Sequence, residues 1–149
     1  MPVFHHHRRN PRALGLPAAF AALALAAAPA AAAETLTLDL NKLEAKDGAC
    51  RVTMVVTNGH AARAETLKAD LVVFGADGVV ARRLAVDLGP VAASKTIVKI
   101  FDVPALGCEA IGSVLLNDMP ACHFAGDGAP AACLETATLT SRAGPRFFK

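Results

Sequence analysis

The 149 residues carry 15 Lys and Arg against 13 Asp and Glu, with seven Phe and no Trp or Tyr. A balance this close to neutrality lacks the electrostatic footprint of a protein for nucleic acid or anionic membrane. The scarcity of aromatic residues disfavours carbohydrate and peptide sites built on aromatic platforms.

Residues 1–33 read differently from the rest. His5, His6, His7, Arg8, Arg9 and Arg12 lead into an apolar run over 13–28, which ends at Ala31-Ala32-Ala33 before Glu34. A basic region, an apolar region and a small-residue site in that order predict a cleaved signal peptide, with the cut after Ala33. A membrane span needs about 20 apolar residues; this run is shorter and broken by Pro17 and Pro29, so no span is expected after cleavage. Arg8-Arg9 invites a twin-arginine reading, but Asn10-Pro11-Arg12 stands where such signals carry a bulky apolar residue, which points to Sec export. Removal of 33 residues leaves 116 of 149, one domain over 34–149. Three of the 15 basic residues leave with the leader and all 13 acidic ones stay, so the remainder has net charge −1.

From Glu34 the segments are short, alternating and bounded by turn residues, with no sustained helical stripe. The first strand is 35–43, with Leu36, Leu38 and Leu40 inward and Thr37, Asp39 and Asn41 outward. Asp47-Gly48 turns it into a strand over 50–58 whose inward side is Cys50, Val52, Met54 and Val56. Asn58-Gly59 closes that strand as a turn signal. A third follows over 66–74, burying Leu67, Ala69, Leu71 and Val73. Ala76-Asp77-Gly78 makes a hairpin into 79–88, and Gly89-Pro90 turns again. The fifth strand, 95–102, sets Lys95 and Lys99 against Val98 and Ile100; strands over 111–117 and 134–140 complete the series. Residues 118–132 hold two prolines, two glycines and Cys122, with Cys133 next in the chain, and read as a loop in need of a staple. The whole predicts an all-β, immunoglobulin-like antiparallel β-sandwich of about seven strands.

All four cysteines, Cys50, Cys108, Cys122 and Cys133, lie in the exported part. An even number in an exported chain implies two disulfides and an oxidising compartment. Of three possible connectivities, Cys50–Cys108 with Cys122–Cys133 is favoured, because the first ties a core strand to the sixth and the second closes the loop.

Cys50-Arg51, Asn58-Gly59, Val73-Phe74-Gly75-Ala76-Asp77-Gly78, Phe101-Asp102-Val103-Pro104, Cys108, Val114-Leu115-Leu116-Asn117, Cys122, Cys133 and Ser141-Arg142 carry a resemblance. Over most of 34–142 the chain resembles a group of small secreted proteins of Gram-negative alphaproteobacteria labelled by a Tat-pathway signal domain. The resemblance implies a compartment and a shape; none of these motifs is catalytic.

No constellation amounts to an active site. The acidic residues Asp70, Asp77, Asp87, Asp102, Asp118 and Asp127 are scattered over turns and strand faces, and Ser94, Ser113 and Ser141 lack the Gly-x-Ser-x-Gly setting. Met119 and His123 flank Cys122, with Met54 and His60 elsewhere, and form the one set with the ligand types of a soft metal such as Cu(I). Arg82, Arg83, Lys95 and Lys99 suggest a basic stripe across a hairpin face, read as a solvated, aggregation-resistant surface. The expectation is therefore a non-enzymatic exported module, periplasmic or secreted, that needs no cofactor and binds a protein partner or works as an envelope accessory. The alternative is a copper-binding protein using Met119 and His123.

Overall fold

Asp47 and Gly48 both adopt positive φ, 46° and 74°. That is the two-residue turn whose twist matches an antiparallel pair, and it joins β1 (Leu36–Lys46) to β2 (Ala49–Asn58). The computed structural model describes residues 1–3, 35–126 and 132–149. The expected leader beyond Val3, and Asp127, Gly128 and Pro130 of the expected loop, lie outside the described residues. All the elements below belong to the unit Ala32–Lys149.

β2 alternates along its whole length, with Cys50, Val52, Met54, Val56 and Asn58 buried and the residues between them half-buried. β1 buries Leu36, Leu38 and Leu40, and a bulge between Leu40 and Lys42 then shifts the register so that Leu43 also packs on the core. β3 (Ala64–Gly75) and β4 (Val80–Asp87) form the next hairpin; β5 (Lys95–Val103) and β6 (Ile111–Phe124) follow, with a 3₁₀ turn at Cys108–Ala110 between them. A short helix α1 (Cys133–Thr136) and the strands β7 (Thr138–Ser141) and β8 (Arg146–Phe148) complete the domain.

The strands form two four-stranded sheets, ordered β5-β2-β1-β7 and β4-β3-β6-β8. β7 runs parallel to β1 and β8 parallel to β6, while the other pairs are antiparallel. Leu38, Leu40, Met54 and Val56 of the first sheet share one core cluster with Leu67, Leu71, Leu116 and Phe147 of the second. Each large side chain taken out of water here contributes roughly 1.5–3 kcal/mol before entropy is counted. Two disulfides, Cys50–Cys108 and Cys122–Cys133, close over the core; this is the connectivity favoured from the sequence. The bonded cysteines accord with an oxidising, non-cytoplasmic location.

Three sequence expectations are corrected. Residues 118–124 belong to β6, not to a loop. Their inward residues Leu116, Met119 and Cys122 recur every third position, because register irregularities against β3 replace simple alternation, and Pro120 sits at one of them, where no amide hydrogen is needed. Residues 133–136 are helical, so the strand expected over 134–140 begins at Thr138, and β8 is an eighth strand not foreseen. In β5 the core side is Ile97, Lys99 and Phe101, leaving Val98 and Ile100 to solvent at 58% and 62% exposure.

Candidate functional site

The soft-metal set is dispersed. Met119 is buried on the core side of β6, whereas His123 is exposed and its Nδ1 lies 2.9 Å from the Thr66 hydroxyl. Cys122 is disulfide-bonded and Met54 is fully buried. His60 packs on Phe124 with ring centroids 4.3 Å apart and the ring planes tilted by 40°. Met119 and His123 thus face opposite sides of one strand and do not converge on a common point. Among the described residues no group of three His, Cys, Asp or Glu side chains is placed to hold an ion.

The basic stripe also separates. Arg82 donates to the carbonyls of Pro104 and Ala105, Arg83 makes a two-pronged contact with Asp70, and Lys99 donates to the Gly89 carbonyl. β4 and β5 belong to different sheets, so these residues share no hairpin face.

A shallow open groove of about 460 Å³ lies along the 75–81 turn, bounded by Asp77, Val80, Leu106 and Ala110. Between the sheets the described residues leave an apolar gap of only about 10 Å³. A gap of that size, with no polar lining, holds no substrate.

What the fold displays instead is two flat outer faces. On the first sheet, Thr138, Thr37, Thr57 and Thr96 stand in one row across all four strands, and the Thr57 and Thr96 hydroxyls are 2.9 Å apart. The next row is Thr140, Asp39, Val55 and Val98, with Ile100 beyond it opposite Thr53. Asp39 is only 8% exposed. Its Oδ2 accepts from Asn41 at 3.0 Å and lies 3.3 Å from Arg142 Nε, while its Oδ1 is buried without a partner. A buried carboxylate oxygen left unpaired is costly, and Asp39 Oδ1 is the one buried side-chain polar atom without a partner among the described residues. Arg51 and Asp102, directly opposite each other, form a fork at the far end of the face.

On the second sheet, Arg83, Val72, Leu115 and Phe148 form one row and Val80, Phe74, Ser113 and Arg146 the next. The rings of Phe74 and Phe148 stack at 6.3 Å, and the Arg146 guanidinium lies 4.2 Å from the Phe148 centroid. Neither face was found from the sequence. The pairing of strands far apart in the chain creates the rows, and β8 supplies Phe148.

No protein-family model, curated protein or solved structure matches this chain.

The Asp70 carboxyl on this second face is held below its ordinary range, first by the hydrogen bonds from Arg83 and then by that from Asn117 at 2.7 Å. A depressed folded-state value stabilises above the unfolded carboxylate pKa, and that contribution disappears as pH falls through the folded value. Arg83→Ala is expected to move the Asp70 titration, followed by side-chain carboxyl NMR, back toward the ordinary range. Asn117 keeps the return incomplete. An unchanged midpoint would refute the assignment of Arg83 as the main cause.

Proposed function

We propose that the protein is an exported, non-enzymatic, immunoglobulin-like module of the bacterial envelope, periplasmic or secreted, that binds another protein. The order β1-β2-β5 against β4-β3-β6 supports the immunoglobulin-like reading, since it parallels the A-B-E and C′-C-F arrangement of that fold; the last strand departs from it by running parallel to β6. The disulfides support export, and the lack of a deep polar pocket among the described residues favours binding over catalysis.

The observation that carries the reading is the outer face of the first sheet. Val98 and Ile100 are exposed side by side with Val55, and the unpaired Oδ1 of Asp39 lies in the adjacent column. A partner suited to this face is an apolar protein surface that covers Val55, Val98 and Ile100. Burying these β-branched side chains supplies the affinity.

A photocrosslinking residue placed at Ile100 in the exporting bacterium is expected to give one adduct of discrete mass. The same residue at the exposed Glu135 on α1 should give none, and Val98→Lys should abolish the adduct at 100. Equal labelling from both positions, or none from position 100, would overturn the proposal.

A further inference from the structure

Asn58-Gly59 is the one place in the chain where an asparagine precedes a glycine; Asn10, Asn41 and Asn117 precede Pro, Lys and Asp. Asparagine is a chemically labile side chain. A following glycine leaves its carboxamide most open to attack by the next backbone nitrogen, since no Cβ stands in the way. In the folded protein the same pair is locked. Asn58 is fully buried at the end of β2, paired with Leu36 on one side and Lys95 on the other. We propose that Asn58-Gly59 is a deamidation site that the fold keeps closed and unfolding opens, and that its reaction makes unfolding a one-way step.

The Gly59 nitrogen gives up its proton and attacks Asn58 Cγ. The Cγ–Nδ2 bond then breaks, and the carboxamide nitrogen takes up a proton and leaves as ammonia, closing a succinimide ring. Water opens either carbonyl–nitrogen bond of the ring to give aspartate or isoaspartate, and the chain becomes one mass unit heavier. Water is the only co-reactant, and no electrons are exchanged.

The fold opposes each step. The Gly59 N–H donates to the Thr35 carbonyl at 2.8 Å, so the nucleophile keeps its proton and is aimed at the residue that leads into β1. A Cβ built on Gly59 would come within 2.7 Å of the same oxygen, which leaves the backbone little room to turn. Asn58 Nδ2 donates to the carbonyls of Ala62, Val91 and Ala92. A nitrogen ringed by acceptors has no donor from which to take the proton that its departure requires. Oδ1 accepts from the His60 amide at 3.0 Å and fixes the orientation of the carboxamide. Ring closure also turns Asn58 away from the extended ψ of a strand residue, at the cost of its pairing with Leu36 and Lys95.

Neither product fits the site. Aspartate sets a carboxylate against three buried carbonyl oxygens. Isoaspartate lengthens the main chain by one methylene at a position paired with strands on both sides, where register sorts side chains between core and solvent. Asp47-Gly48 and Asp77-Gly78 cyclise by losing water and regain it on opening, so they leave the mass unchanged and a mass gain reports on asparagine alone. The inference does not depend on the partner-binding reading, and either can fail without the other.

The test holds the purified protein, disulfides intact, at pH 8 and 37 °C, in buffer and in enough urea to complete unfolding. Samples are followed by intact mass and by the mass of the tryptic peptide 52–63. The unfolded sample is expected to gain one mass unit in that peptide. Gain in the native sample should be at least about 100-fold slower, which corresponds to an opening free energy of about 2.8 kcal/mol or more. On dilution from urea, unmodified chains should regain the folded elution volume and modified chains should stay outside it. A native rate within tenfold of the unfolded one would overturn the proposal. So would a gain located at Asn41 or Asn117 instead, or modified chains that refold with the urea midpoint of unmodified ones.

Discussion

Replacing Cys50 and Cys108 together by alanine is expected to lower stability by about 2–5 kcal/mol, and at 37 °C to leave little folded protein. Cys50 is completely buried on β2, and its bond reaches the 3₁₀ turn that leads into β6, closing a loop with a sequence separation of 58. In the chain-entropy account, whose mechanism is disputed, a loop of that length contributes about 4 kcal/mol, against about 3 kcal/mol for the separation of 11 at Cys122–Cys133. The difference in loop length is modest; position adds to it. Cys50–Cys108 anchors the central hairpin partner of the first sheet to the element that feeds the second. Cys122–Cys133 joins the end of β6 to a four-residue helix. The double variant at 122 and 133 should therefore keep a single cooperative urea transition with a smaller loss. Equal losses for the two bridges would contradict this ranking.

Asn58→Ala is expected to cost about 2–4 kcal/mol, far more than the loss of an ordinary turn residue. The side chain is fully buried, and its amide lies 2.9, 3.2 and 3.1 Å from the carbonyls of Ala62, Val91 and Ala92, while its Oδ1 accepts from the His60 amide at 3.0 Å. Removing it leaves buried acceptors and one donor without partners in a segment that ties β2 to the strand-like bridge between Ala64 and Val91. The neighbouring Gly59 cannot take over, since a Cβ there would come within 2.7 Å of the Thr35 carbonyl. Asn58→Asp keeps the volume and reverses the chemistry, placing a carboxylate against three carbonyls. It should be worse than alanine at neutral pH. Such an acid has a raised folded-state pKa, so the added penalty is present above that value and vanishes as pH falls through it. Chemical denaturation at pH 7 and at pH 4 measures both effects. An aspartate variant as stable as wild type at pH 7 would show that the amide is not donating.

Much of the first half of the domain was legible as sequence. In β2 the alternation of Cys50, Val52, Met54 and Val56 is unbroken, and Asp47-Gly48 and Asp77-Gly78 occupy turns whose positive φ at Asp47, Gly48 and Gly78 suits those residues. Where alternation failed, so did the reading. β6 carries its core residues at spacings of three through several register irregularities, and a proline inside it reads as a breaker unless its partner strand is known. In β5 both faces carry apolar residues, so composition alone does not show which side is covered; Lys99 turns toward the core side because the Gly89 carbonyl is there to receive it. Asn58 looked like punctuation, yet it is a buried hub, because its three acceptors come from residues 62, 91 and 92.

By itself, then, the sequence determined the local quantities: strand periodicity, tight turns, the scarcity of chemically reactive clusters, and an even set of cysteines. These depend on neighbours one to four residues apart, which the chain keeps in any conformation. The tertiary structure decided which strands share a sheet, and hence which exposed side chains stand in a row. The row of four threonines, the unpaired oxygen of Asp39 beside Val55, and the Phe74–Phe148 pair under Arg146 bring together residues up to about one hundred positions apart. Such faces arise only when burial of the opposite sides of the strands fixes their order and register, since a shift of one residue would send every one of these side chains into the core.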